Sequence, residues 1–214
     1  MLKQSLNLIP ARRELYQAKL FFYLFIASLT MFFVASLITY CLVRVEGFRT
    51  IQQTYDAATN TMVASNRQYE ALRLPISFWA STTLLVAISV LLQRAVYLVS
   101  REQINQFRGC LIWAWVCAVV FVVVQSFGMA DLVANHFRQL ENGSTKVYGM
   151  SFTLAFIHAL HVLGGLVFLG YVIFQSFQGK YDHERHWAVD HCAGYWHFLD
   201  VVWVVMLLVF AITK

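Results

Sequence analysis

LFFYLFIASLTMFFVASLITYCLV, residues Leu20–Val43, carries no charged side chain anywhere along its length. A helix needs about 20 mostly apolar residues to cross about 30 Å of hydrocarbon, so this stretch is long enough to span a bilayer. Four further blocks of the same kind follow: Leu74–Val99, Cys110–Ala130, Val147–Phe177 and Cys192–Thr213. The second is opened by Pro75, a residue suited to the first turn of a helix, and is interrupted by Gln93 and Arg94. With no water in the bilayer core, a spanning segment must satisfy its backbone internally, as a helix does. Barrel strands would alternate apolar and polar residues over about ten positions, and these runs do not. The reading is therefore all-α: an integral membrane bundle of five transmembrane helices. The approximate spans are 20–43, 74–99, 110–130, 147–177 and 192–213, in a single membrane domain over residues 1–214.

Composition excludes the alternatives. Of the 214 residues, 59% are hydrophobic and only 13% are charged, against about 45–50% and about 25% in soluble domains. A fold surrounded by water could not be clothed with so few charges. That argues against a soluble enzyme, a disordered chain and a nucleic-acid module, even with a net charge of +5. The basic residues instead flank apolar blocks, as at membrane boundaries. Cys41, Cys110, Cys117 and Cys192 form no CxxC pair, so neither a disulfide framework nor a zinc site is expected. The first block follows Lys3, Arg12, Arg13 and Lys19, but it is too long for the apolar core of a signal peptide and is read as a retained span. The N-terminus and the second-to-third and fourth-to-fifth loops together hold more Lys and Arg than the opposite side. The positive-inside rule then favours a cytoplasmic N-terminus.

Ionisable residues are rare at membrane depth and normally face protein or water, and two segments stand out for them. In SFTLAFIHALHVLGG, Ser151–Gly165, His158 and His161 are three apart and share a helix face. Gly164 and Gly165 follow, small residues that let another helix approach closely. In HCAGYWHFLDVVW, His191–Trp203, His197 and Asp200 are again three apart, with Trp196, Asp200 and Trp203 forming a neighbouring stripe. An unpaired charge near the centre of a span costs about 2.5–3.5 kcal/mol on the insertion scale. Asp200 must accordingly face another helix, and one of the histidines is a sensible partner. The simplest reading makes these residues interhelical hydrogen-bonding groups that join the fourth and fifth spans. Two rivals stay open. One is a b-type haem held by His158 or His161 together with His197; the other is a proton relay or small transporter with Asp200 in its pathway. The loop Lys180–His191 is read as solvated, and no phosphate loop, nucleophile elbow or HExxH motif occurs.

The same two segments resemble subunit III of the haem–copper oxidases. The family's H-x-L-H-V-x-x-G stretch is matched by His158–Gly165, and its Y-W-H-F-x-D-V-V-W stretch by Tyr195–Trp203. Asp190 stands where the family places an acid before the second motif. Gln125 and the Thr83-Leu84-Leu85 stretch are similar more loosely. The resemblance implies a non-redox subunit of a terminal respiratory oxidase, in the short bacterial form of five helices. That subunit packs against the catalytic subunit I and subunit II, holds membrane phospholipid, and supports proton uptake and stable turnover. On this view haem and copper sit in the partner catalytic subunit, and the chain itself binds no cofactor, metal or nucleic acid and holds no catalytic residue. An auxiliary subunit of a nitric oxide reductase system shares the same features and is the alternative. The location implied is the bacterial inner membrane.

The packing residues expected from both readings are His158, His161, Gly164, Gly165, Trp196, His197, Asp200 and Trp203. The sequence also departs from the family pattern. Leu29, in Phe25-Ile-Ala-Ser-Leu29, stands where the family often has a glutamate, and Gly128 falls near another expected acid. The headgroup-binding arginine expected after the fourth span is displaced, leaving Lys180, Arg185 and His186 as substitutes.

Overall fold

The computed structural model describes residues 2–49, 52–56, 61–65, 76–140, 145–179, 181 and 186–212. Five helices are present: α1 (Leu2–Arg49), α2 (Ile76–Val99), α3 (Ile104–Leu140), α4 (Thr145–Phe177) and α5 (Trp187–Ile212). Each contains a stretch long and apolar enough to cross a membrane, so the all-α five-span reading holds. All the helices except α2 overrun the apolar blocks. Helix α3 continues ten residues past Ala130 to Leu140, and α5 begins at Trp187, inside the segment read as a loop. The hydrophobic run marks the part of a helix that contacts hydrocarbon, whereas backbone hydrogen bonding continues into water. Between α1 and α2 the backbone forms an antiparallel hairpin, β1 (Gln52–Asp56) with β2 (Thr61–Ser65), pairing Thr54 with Val63.

The chain divides into two compact units, Met1–Ala35 and Ser36–Lys214. The first is helical, and many of its large apolar side chains, Phe21, Leu24 and Met31 among them, are exposed, while Phe33 is buried. Such a surface suits lipid or another membrane chain, and would be costly in water. In the second unit α2 packs on α3, α3 on α4, α4 on α5, and α5 back on α2, a closed ring of four helices. The last turns of α1 belong to this unit, where Tyr40 meets Phe210 edge-on at 5.1 Å.

Short connections set the order of the ring. Only Ser100–Gln103 separate α2 from α3, which forces the two helices to run antiparallel side by side. The turn is made by Glu102 at φ 60° and by Gln103 N–H donating to the Leu98 carbonyl at 3.1 Å. Past the end of α4 the chain turns at Gly179, whose φ of 68° is the left-handed conformation that glycine adopts without strain. Its N–H returns to the Ser176 carbonyl at 3.1 Å. Arg108, in the first turns of α3, donates to that same carbonyl at 2.8 Å and lies 5.4 Å from the Phe177 ring centroid. A cation there complements the negative end of the α4 dipole.

Candidate functional site

Trp203 stands at the centre of the four-helix ring and touches the other three helices. Its indole N–H donates to Thr82 Oγ1 of α2 at 3.1 Å. It meets Phe78 of α2 edge-on at 5.3 Å and Phe121 of α3 edge-on at 6.3 Å. His158 of α4 stacks on it at 5.3 Å, with an interplanar angle of 27°. Both Trp203 and His158 are fully buried. Thr82 completes the arrangement by donating its own proton to the Phe78 carbonyl at 2.8 Å, which leaves its oxygen free to accept from the indole.

One turn along α5, the polar side chains face α2 rather than α4. His197 Nδ1 lies 2.5 Å from Ser89 Oγ, and its Nε2 lies 3.2 Å from Gln93 Oε1. An amide carbonyl only accepts, so Nε2 carries the proton and donates to Gln93. Nδ1 of the neutral ring then accepts from the Ser89 hydroxyl. Ser89 also borders the Asp200 carboxyl, whose two oxygens are both shut away from solvent. The sequence reading joins His197 and Asp200 to the fourth span, whereas the structure turns both toward the second. The histidine that reaches across from α4 is His158, and its neighbour is Trp203.

The contact between α4 and α5 rests on small residues. A Cβ placed on Gly165 would lie 3.1 Å from Tyr195, 3.3 Å from Trp196 and 3.4 Å from Leu199, whereas one on Gly164 would meet only the Tyr195 hydroxyl, at 3.9 Å. Gly165 is the point of closest approach. Tyr195 is held there because its hydroxyl donates to the His161 carbonyl at 3.0 Å, while the His161 ring bonds back to the Ile157 carbonyl at 2.7 Å. Trp196 is fully buried beside them.

Three α2 residues at this site, Thr82, Ser89 and Gln93, were not singled out as a set by the sequence reading. They are spaced seven and four apart, which puts them on one helical stripe, and that spacing was the available signal. Of the three headgroup candidates, Lys180 and Arg185 lie outside the described residues. His186 opens α5 and stands 3.6 Å from Asp190. Among the described residues, no three His, Cys, Asp or Glu side chains converge as metal ligands do.

A multi-pass helical membrane protein, with its polar interior placed at helix–helix contacts, is the class that this fold and site define. The sequence model of the family described as cytochrome c oxidase subunit III matches residues 15–213, and the chain belongs to that family. Its relatives include a probable cytochrome c oxidase subunit 3 of Mycobacterium bovis, 28% identical over 129 residues, which cover 60% of this chain and 62% of the relative. The cytochrome c oxidase subunit 3 of Corynebacterium diphtheriae is 28% identical over 131 residues, 59% of this chain and 60% of the relative. That of Chondrus crispus is 32% identical over 107 residues, covering 49% and 36% respectively. The chain therefore spans less than two thirds of the length of these relatives.

Proposed function

We propose that the chain is a redox-silent subunit of a haem–copper terminal oxidase. It packs against the catalytic subunit I, which carries the haems and copper, and against subunit II. It sits as a single domain in a bacterial plasma membrane with its N-terminus in the cytoplasm, and holds phospholipid against its apolar faces. Its contribution to the reaction is indirect: it supports proton uptake and keeps the complex stable during turnover. Family membership over residues 15–213 is the observation that carries this reading.

The geometry supports it from the other side. An axial haem ligand needs a free ring nitrogen aimed at iron, and both nitrogens of His197 are engaged by α2. The polar groups thus act between helices, where hydrogen bonds in membrane bundles contribute about 0.6 kcal/mol each. An optical spectrum of the purified single chain tests the redox-silent part. The expected result is a protein absorption band without a Soret band, and a stoichiometric Soret band would overturn it. Oxygen consumption against nitric oxide consumption by the purified complex then tests the oxidase assignment. Oxygen turnover is expected, and nitric oxide turnover alone would contradict it.

A further inference from the structure

Two exposed polar side chains in the spans satisfy themselves. Ser126 of α3 and Thr153 of α4 each donate at 2.8 Å to a carbonyl four residues back on the same helix. Gln93 of α2 is different. It is exposed, its Oε1 accepts from His197 Nε2 at 3.2 Å, and its amide nitrogen donates to nothing among the described residues. With its carbonyl tied to α5, the amide has only donors left to offer. The next residue, Arg94, is also exposed and forms no ion pair among the described residues. The apolar span of α2 ends at Val99, six residues beyond Gln93, which places Gln93 about 9 Å inside it at 1.5 Å per residue. An arginine reaches a lipid headgroup from such a depth by extending its long side chain. A glutamine bonded to a neighbouring helix cannot, and donors left in hydrocarbon are costly. Gln93 shares an outward stripe with Thr83, Val86, Val90 and Tyr97, all exposed. Their spacing of three and four residues is the repeat that keeps one seam against a second helix, where a single polar residue specifies register.

We propose that this stripe of α2 docks a transmembrane helix of a partner subunit, one that carries a carboxylate opposite Gln93 and Arg94. The inference rests on the oxidase-subunit reading and adds to it a face and a chemistry. Charge chooses the occupant. Gln93 and Arg94 present hydrogen-bond donors and a positive charge, so their complement is a negatively charged acceptor. Acyl chains offer neither. A second copy of this chain, meeting the same face across a two-fold axis, would set Arg94 against Arg94. A carboxylate accepts from the amide and the guanidinium together, and charge-assisted hydrogen bonds of this kind are about twice as strong as neutral ones. The outward residues of α5, by contrast, are Val201, Val204, Val205 and Leu208, a wholly apolar surface that suits lipid. Thr83, Val86 and Val90 add stiff β-branched side chains, which lose little freedom when a helix packs on them.

The test places the photo-cross-linker benzoylphenylalanine at Val90, or at Val205 of α5 as a control, and irradiates native membranes. The tagged chain is then purified in mild detergent, and its cross-linked peptides are mapped by mass spectrometry. The expected result is that Val90 joins a transmembrane peptide of a partner chain containing Asp or Glu, while Val205 joins lipid. A second arm uses Gln93→Glu, whose carboxylate still accepts from His197 but turns the outward donors into a negative acceptor. The amount of partner retained should fall about tenfold, the effect of losing one hydrogen bond to a charged group. Replacing the partner's mapped carboxyl by its amide should restore it. If Val90 cross-links only to lipid, to a second copy or within this chain, in a complex that still carries haem and copper, the docking proposal falls and the oxidase-subunit reading stands. Retention unchanged in Gln93→Glu would overturn it likewise. A wild-type chain that brings down no haem- and copper-bearing partner would overturn both.

Discussion

Replacing Gly165 by alanine adds a single methyl group at the tightest point between α4 and α5, and the outcome follows from where that methyl would sit. It would lie 3.1 Å from Tyr195 Cε1, 3.3 Å from Trp196 Cε2 and 3.4 Å from Leu199 Cδ1, inside the 3.5–4.0 Å optimum for carbon atoms. Tyr195 cannot retreat without stretching its 3.0 Å bond to the His161 carbonyl, and Trp196 is packed on all sides. Overpacking of this kind costs about 1–3 kcal/mol. Set against it is the gain of about 1 kcal/mol from replacing glycine in a helix interior, so Gly165→Ala should lose about 0–2 kcal/mol. Gly164→Ala supplies an internal control. It brings the same helix gain, and its methyl meets only the Tyr195 hydroxyl, at an ordinary 3.9 Å. The difference between the two variants isolates the packing term, about 1–3 kcal/mol. Unfolding in mixed micelles with increasing dodecyl sulfate, followed by tryptophan fluorescence, reads it, because Trp196 is buried at the contact. Equal midpoints for the two alanine variants, or a Gly165→Leu variant as stable as wild type, would refute the close-approach reasoning.

Other expectations follow from the α2–α5 side of the ring. Trp203→Phe keeps an aromatic ring against His158 but deletes the bond to Thr82, and should lower stability by about 0.5–1.5 kcal/mol. Trp203→Leu should lose several times more, and the same dodecyl sulfate titration separates the two. A double-mutant cycle on Ser89→Ala and His197→Phe should give a coupling energy of about 0.6–1.7 kcal/mol, and additive effects would show that the 2.5 Å contact carries no energy. Asp200→Leu should reduce the yield of assembled complex while leaving the haem absorption of the assembled fraction at its wild-type position. A shifted haem band would contradict a purely structural role for this carboxyl.

The five spans were legible because bilayer thickness acts on each segment separately. A run such as Leu20–Val43 declares itself without knowledge of its neighbours. Helix ends were less legible. Trp187–His191 lies in α5 although Asp190 and His191 make it look like loop, because the carboxylate stabilises a helix start and the His191 ring bonds back to the Trp187 carbonyl at 2.7 Å. At the site, His158, His197, Asp200 and Trp203 were recognisable one by one from the cost of placing polar groups in a membrane. Their partners were not. Which helix each one faces depends on the order of the ring, and a single-helix pattern does not encode it. Arg108 was missed for a related reason. It precedes the third apolar block in sequence and reads as an ordinary flanking charge, yet the antiparallel arrangement brings it to the end of α4, 68 residues away. Gln125 was noted only for its loose likeness to the family, and its burial between α3 and α4 exists only once those helices are paired.

The central claim is that this chain works as a part of an oxidase and carries no redox centre of its own. The most direct measurement is affinity purification of the tagged chain from its native membranes in mild detergent, with haem and copper quantified in the eluate and again after the subunits are separated. The account predicts stoichiometric haem and copper in the eluate, all of it remaining with a partner chain after separation. A chain that elutes without a haem- and copper-bearing partner, or that keeps haem once isolated, would contradict it.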